Sequence, residues 1–572
     1  VSTNHFFGGY YHNPDLPYKK KDVLFIEKQK DIIVLLSGSV YNNIELLKKE
    51  RLSLNLTNPE MIAILFLNKG PDFVEELNGD FAIFICQPSE SKSYLYRDHV
   101  GINPLAYTLT DQGISFSSDI TDLCKAYHSS GQIDSDYLLG FFKYTEYRKT
   151  PNERVKKLEP GHYFEYSDKG LHVKQYWKPE EIKINKSLGS NQMLSDIKHL
   201  LKDAVRIRCD DRFIAGAHVS SGLDSGIVSA LARKEYSNQE KFYGFSWSPE
   251  NFEPETTDFD EREIVRSACK KAGLTPVFSK MSQDDFTSFV NKPNDNIGNF
   301  SEEMVLDQAG ELDTNLIFSG WGGDEFISMM DRGIDSDLFF EFNWRLFFKK
   351  NPPWRIKKFA RNMLYYIILP AIGILDFASR RSFRDDARYI KKPYKRSDKK
   401  AISNFYFYKS RRQLHLGLLR FYHINQRTEN WAVNGFRKGV EYRYPLLDKR
   451  IIEYILSVPS KLLCGSDYRR IILREIGEGI IAEEVRWHWQ KNDPVLFERE
   501  KLFTKDSAIL YMTEVEEWKA LPEFFFIDFD LLEKDISACR NNQADVDYSD
   551  LFGTLVYTKM LYEFVKNYNE PA

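Results

Sequence analysis

Short apolar runs give way along this chain to apolar residues at helical spacing, and that change divides it. Through the first 125 residues, short apolar runs with strand character recur at 23–26, 31–36, 81–85 and 93–96. Turn formers such as Gly38, Asn78-Gly79, Asn103-Pro104 and Asp111-Gln112-Gly113 separate or follow them. This pattern predicts an antiparallel, β-rich amino-terminal domain. Its last hairpin runs from Lys157-Leu158-Glu159-Pro160-Gly161 through Gly170 to Tyr176-Trp177, and the polar stretch 178–192 reads as a linker.

Beyond the linker the spacing changes. Ile197, Leu200, Leu201, Ala204 and Val205 recur at helical spacing over 195–208. A strand is predicted over 213–219, a tight turn follows, and a helix starts near Gly226. Strand 242–247, helix 261–272, strand 276–278 and strand 315–319 continue the pattern. Strands alternating with helices predict a parallel sheet under helical cover. Residues 331–412 differ in composition from both neighbours, mixing Lys and Arg with Phe, Tyr and Trp, and read as a helical insertion. From Leu414 onward helical spacing dominates. The domains predicted are 1–185 and 186–572, the second carrying the insertion.

Composition removes several function classes. Hydrophobic residues make up 42% of the 572 and aromatic residues 15%, enough for sizeable cores, so a low-complexity or disordered chain is excluded. A net charge of -4 argues against nucleic-acid binding as the main task. The six cysteines, Cys86, Cys124, Cys209, Cys269, Cys464 and Cys539, have no Cys-x-x-Cys spacing and fit a reducing, cytoplasmic compartment. No secretory signal is visible at the start of the sequence. The longest apolar run, 363–375, carries Pro370 and Gly373 and falls short of the roughly 20 residues that a spanning helix needs.

Two glycine turns carry the chemistry. Val219-Ser220-Ser221-Gly222-Leu223-Asp224-Ser225 lies between a predicted strand and a predicted helix. Backbone N–H groups at a helix amino-terminus, with serine hydroxyls beside them, suit a pyrophosphate, and Asp224 suits Mg²⁺. A plain helix cap is the simpler alternative for this turn alone. The Gly-Lys-Ser/Thr ending of a Walker loop is absent. The second turn, Ser319-Gly320-Trp321-Gly322-Gly323-Asp324-Glu325, also ends an apolar strand, where ligands gather in open α/β sheets.

With these turns in view, the chain resembles the asparagine synthetase superfamily, from Ser37-Gly38-Ser39-Val40-Tyr41-Asn42 to the region of Lys491. The resemblance implies an amino-terminal Ntn-hydrolase-like, glutaminase-type sandwich of antiparallel sheets, followed by an ATP-pyrophosphatase domain. It implies ATP and Mg²⁺ as cofactors, with Asp224 and Asp324 as the metal ligands. Nucleotide contacts are implied for Val219, Ser220, Ser221, Gly222, Leu223, Ser225, Ser246, Gly320, Trp321 and Arg470. Gly439-Val440-Glu441-Tyr442-Arg443-Tyr444-Pro445-Leu446-Leu447-Asp448 and Arg470-Ile471-Ile472-Leu473-Arg474 are similar to further family segments. They imply catalytic roles for Glu441, Arg474 and Lys491, the last as electrostatic stabiliser of the transition state. A structural Glu441–Arg443 ion pair and a solvated Lys491 are the alternatives. His218, in the strand before the first turn, reads as a packed core residue.

The amino-terminal half keeps scaffold sequences that resemble the family's, such as Asn78-Gly79-Asp80-Phe81-Ala82 and Arg97-Asp98-His99-Val100-Gly101. It departs where glutamine chemistry would occur. Val1 heads the sequence, no cysteine precedes Cys86, and Ser37-Gly38-Ser39 replaces the family's Asn-Gly-Glu clamp. Loss of glutaminase activity is expected. An amide ligase without that ammonia source takes its amine elsewhere, and the Trp321 turn, the basic insertion and Tyr444-Pro445-Leu446-Leu447-Asp448 look most like the lasso-peptide macrolactam cyclases. Trp321 cannot serve as a base, which leaves Glu441, substrate or water.

The expected activity is therefore ATP-dependent adenylation of a carboxylate and its coupling to an amine, closing a macrolactam in a precursor peptide. The expected partners are that peptide, a leader-binding protein and a cysteine protease. The basic insertion implies either a membrane-surface or peptide-docking patch or a solvated helical face. An asparagine synthetase-like enzyme using free ammonia, a β-lactam synthetase-like ring former and a non-catalytic peptide scaffold are the rival readings.

Overall fold

The computed structural model describes residues 9–111, 113–127, 133–142, 149–254, 259–292, 299–327, 333–372, 388–396, 410–420, 423–464, 470–489, 493–541 and 548–569. The amino-terminal domain is built on β1 (Leu24–Glu27), β2 (Ile32–Val40), β3 (Gly79–Gln87), β4 (Lys92–Arg97), β5 (Ala106–Thr110), β6 (Gly113–Ser117), β7 (Lys156–Lys157), β8 (His162–Ser167) and β9 (Gly170–Gln175). They form a six-stranded antiparallel sheet in the order β1-β2-β3-β4-β8-β9 and a three-stranded sheet β6-β5-β7.

Residues of β3 are buried on both faces, and the alternation decides which layer each meets. Ala82, Phe84 and Cys86 pack toward Leu105, Tyr107 and Phe116 of the small sheet, with Phe84 and Phe116 stacked at 4.6 Å. Phe81, Ile83 and Ile85 join the main core with residues of helix Asn58–Lys69. That helix begins with a capping box between Thr57 and Glu60. The domain is thus the predicted sandwich of sheets with helical cover on one side.

The second domain holds β10 (Ala215–His218), β11 (Tyr243–Pro249), β12 (Thr275–Ser279), β13 (Leu316–Phe318) and β14 (Glu441–Arg443). Their order is β12-β11-β10-β13-β14 and every neighbouring pair is parallel. Successive strands leave β10 first toward β11 and later toward β13, so the direction of winding reverses between β10 and β13. Such a reversal opens a crevice at the carboxyl ends of the two strands.

Helix Glu261–Ala272 forms where the apolar spacing predicts it, between an Asp260 cap and left-handed Gly273. Helix Ser190–Arg206 starts five residues earlier than predicted, because Ser190-Asn191-Gln192 adds a polar first turn ahead of the apolar spacing. The helix after the first glycine turn starts at Leu223, not Gly226, which places Asp224 within its first turn. In the insertion, the described residues are helical at Ile334–Phe340, Trp344–Lys350 and Ile356–Asn362. No helix among the described residues is long and apolar enough to cross a membrane.

Buried charges tie the domains together. Arg97 donates to Glu429, which also receives Lys157. Arg208 meets Asp448 at 2.6 Å, and Asn78 donates to the same carboxylate at 3.1 Å. Burial alone would raise the Asp448 carboxyl, yet Arg208 and Arg450 hold it well below the usual carboxylate range.

Candidate active site

The two glycine turns leave the carboxyl ends of β10 and β13, adjacent strands at the reversal point. They touch. A side chain on Gly320 would begin 2.5 Å from the Ser225 backbone nitrogen, and one on Gly323 would begin 1.9 Å from Asp224 Oδ1. Only glycine permits that approach, so the second turn is moulded on Asp224. Within the first turn, Val219 N–H donates to the Phe245 carbonyl at 2.8 Å, which ties the turn to β11. The hydroxyl of Ser220 meets that of Ser225 at 2.8 Å and accepts from Gly222 N–H at 3.1 Å. Leu223 is buried and anchors the helix start.

Arg470 lies between the two aspartates. Its Nη2 pairs with Asp224 Oδ2 and stands 3.3 Å from Asp324 Oδ1. Arg470 adopts the left-handed region, with φ +63, which a non-glycine residue holds only under constraint. Burial pushes the Asp224 carboxyl up to about 6 against the pull of Arg470, with Asp324 adding to the rise. Asp224 Oδ1 is buried without a hydrogen-bond partner among the described residues. A hard cation uses one or two carboxylates together with phosphate oxygens, so this orphaned oxygen and the nearby Asp324 fit Mg²⁺ carried in with a nucleotide. No cluster of three or more potential metal ligands occurs among the described residues.

Glu261 was not legible as part of this site. The Ser221 N–H, one of the amides expected to face phosphate, donates to Glu261 Oε1 at 2.7 Å. Burial pushes the Glu261 carboxyl up to about 7, and Asp493 adds to the rise. In the sequence, Glu261 is simply an acid in the first turn of a helix. Asp493 accepts from Ser248 and caps helix Pro494–Tyr511. Ser246 is buried on β11, where its hydroxyl accepts from Ser248 N–H at 3.3 Å.

The strand register places Glu441 away from the two glycine turns. Glu441 pairs with Leu316 and Arg443 with Phe318 in parallel, while Ser319 N–H donates to the Arg443 carbonyl. Glu441 therefore stands at the opposite end of the sheet from the turns, about 10 Å along the strand. It accepts from Tyr18 and, at 2.8 Å, from Arg443 Nε, which is the structural ion pair. It lines a cavity of about 680 Å³ shared with Ser37, Gly38, Ser39, Asp80 and Asn103 of the amino-terminal domain. Tyr18 also meets Ser39 Oγ at 3.1 Å.

Arg474 is engaged with the backbone of the segment 486–488. Its guanidinium donates to the backbone carbonyls of Arg486 and, at 2.9 Å, His488, and Arg486 Nε donates back to the Arg474 carbonyl at 2.8 Å. It fixes the course of the chain leading toward Lys491. Lys491 itself lies outside the described residues.

An aromatic cluster flanks the second turn. His218 stacks on Trp431 and, through Nε2, lies 3.1 Å from Glu302 Oε1. Trp247 Nε1 donates to Glu302 Oε2 at 2.8 Å, and Tyr442 donates to Oε1. His218 is thus packed, as expected, but within a polar knot beside the crevice. Trp321 lies against this cluster, under the guanidinium of Arg427. Neither Glu302 nor Arg427 belongs to a glycine turn, and helical periodicity gives no sign of either.

Comparison with known proteins agrees with this architecture. A glutamine amidotransferase domain model matches residues 21–177, and an asparagine synthase model matches residues 196–505. The putative asparagine synthetase 2 of Methanocaldococcus jannaschii is 27% identical over 52% of this chain, which spans 58% of that protein's length. Asparagine synthetase 3 of Bacillus subtilis is 22% identical over 85% of this chain and 77% of its own. Glutamine phosphoribosylpyrophosphate amidotransferase of B. subtilis, solved with ADP and GMP, covers 38% of this chain and 46% of its own at 14% identity and a TM-score of 0.20, too low to add to the family match. By the match that takes in more than half of its residues, the chain belongs to the asparagine synthase family.

Proposed function

We propose that this protein is an ATP-dependent carbon–nitrogen ligase that adenylates a carboxylate and couples it to an amine. The observation that carries this reading is the contact of the two glycine turns on Asp224 at the reversal point of a parallel sheet. Family membership supports ATP as the activating substrate. Asp224 and Asp324 would hold Mg²⁺, which supplies positive charge to offset that of the phosphates.

In the first step a carboxylate oxygen attacks the α-phosphorus, the bond to the β-phosphate oxygen breaks, and pyrophosphate leaves with the electron pair. In the second, the amine nitrogen attacks the acyl carbon and AMP leaves. With Glu441 at the far end of β14, the amine proton passes to substrate or water. Holding amine and acyl group together in one crevice replaces a bimolecular encounter.

The finer reading is a lasso-peptide cyclase that joins a side-chain carboxylate of a precursor peptide to its own amino-terminal amine. Its support is chemical: Ser37-Gly38-Ser39 offers neither the amide nor the carboxylate that would grip glutamine. The test is ATP–pyrophosphate exchange and AMP release with a precursor peptide, beside aspartate plus ammonia and glutamine. Peptide-dependent AMP and a product lighter by one water are expected. Aspartate-dependent AMP alone, or robust glutamate release, would overturn the cyclase reading, and absence of exchange with every carboxylate would overturn the ligase.

A further inference from the structure

We propose that Arg427 is the residue that receives the substrate's carboxylate in the crevice, a role that rests on the ligase reading above. Arg427 lies on helix His423–Arg437, and its guanidinium stands 3.9 Å from the ring centre of Trp321, the aromatic residue of the second glycine turn. The rings of Trp431 and Trp247 lie 5.2 and 5.7 Å from the same guanidinium. Three indoles thus cradle one cation, fixing its plane while leaving its N–H edge for a ligand.

Among the described residues none forms a hydrogen bond or an ion pair with Arg427, although the side chain is half-buried. Burial lowers its proton affinity, and the fields of Glu325 and Glu302 only partly offset that. Of the two acids whose fields reach it, Glu302 is occupied by His218, Trp247 and Tyr442, and Glu325 forms no ion pair with it among the described residues. A partly desolvated guanidinium held by aromatic faces and paired with neither acid is a receptor for a planar anion. Its contact with the turn that packs on Asp224 sets it beside the proposed nucleotide, where a carboxylate must stand to meet the α-phosphorus.

The shared chemistry of carboxylate and phosphate defines the test. N-acetyl-aspartyl amide and N-acetyl-glutamyl amide serve as probes, with the asparaginyl and glutaminyl counterparts as uncharged controls. Binding is followed by tryptophan fluorescence, and a non-hydrolysable ATP analogue is titrated in parallel. Wild type should prefer an acid over its amide by roughly tenfold or more, the scale of one charge-assisted pair. Arg427→Met should lose that preference with analogue affinity unchanged, and Arg427→Lys, which keeps charge but loses the planar stack, should fall between.

Preference surviving in Arg427→Met, or absent from wild type, would overturn the proposal. A loss of analogue affinity equal to the loss for the acid would also overturn it, assigning the guanidinium to phosphate. Failure of the ligase reading registers separately, as absence of ATP–pyrophosphate exchange while the acid preference persists. Arg427→Lys and the thermal midpoint of each variant keep a folding defect from passing as a binding one.

Discussion

Glu261 Oε1 accepts a hydrogen bond from the Ser221 N–H at 2.7 Å, so a carboxylate already occupies one of the amides that the first glycine turn would turn toward phosphate. The protein thus places a carboxyl of its own at the expected phosphate site, and burial there favours its neutral form.

The pH dependence of stability follows from the burial of that carboxyl, against which the Ser221 hydrogen bond pulls the other way. The Glu261 carboxyl is raised from 4.5 to about 7 by burial and by Asp493. The folded state therefore holds this proton more tightly than the unfolded chain. Its contribution is complete below about pH 4.5 and is lost as pH rises through about 7, on the order of 3 kcal/mol. Thermal midpoints measured from pH 5 to pH 8 should fall, and Glu261→Gln should flatten that slope. At pH 8 the same variant should bind an ATP analogue several-fold more tightly, because a negative charge beside the phosphate site is gone. An unchanged slope would remove Glu261 from both roles.

Gly323→Ala is expected to abolish ATP–pyrophosphate exchange while leaving far-ultraviolet circular dichroism unchanged, since the new methyl would begin 1.9 Å from Asp224 Oδ1 and the strain is confined to one buried turn. Asp224→Ala and Asp324→Ala should each reduce exchange by at least about a hundredfold, the scale of losing a charge-stabilising group. Full activity in both would refute the metal assignment.

Glu441→Gln gives the opposite outcome. Its partners are Tyr18 and Arg443, at the end of β14 away from the turns. Exchange should stay within about threefold of wild type, while the midpoint drops because a buried arginine has lost its counter-charge. A hundredfold loss of exchange at an unchanged midpoint would restore Glu441 to the chemistry.

Asp448→Ala should destabilise the protein by about 3–5 kcal/mol, because it leaves Arg208 buried with only Asp80, at 3.8 Å, as counter-charge. Chemical denaturation would show it. Asp448→Asn, which keeps an acceptor but no charge, should cost less.

Arg474→Lys tests positioning rather than chemistry. A lysine cannot span the Arg486 and His488 carbonyls as the fork does. Turnover should fall with little change in analogue affinity, and hydrogen exchange over 486–489 should quicken. Unchanged exchange there with lost turnover would argue for direct contact with the reacting groups.

The sequence by itself determined the elements and the two turns. The continuous apolar run of β3 and the helical spacing of 261–272 mark which faces need burial, and burial is what makes those patterns legible. Glycines at 320 and 323 are read from the chain because no side chain could occupy their space, a constraint local enough to be written in residue type. The tertiary structure decided which groups share a crevice. Glu441 lies in a segment that resembles a catalytic one, yet parallel register with β13 carries its side chain to the far end of the sheet. Glu261, Glu302 and Arg427 come from three separate helices, and nothing in their spacing relates them. Their meeting depends on how the layers pack, because electrostatic pairing acts through distance in space, and distance along the chain does not measure it.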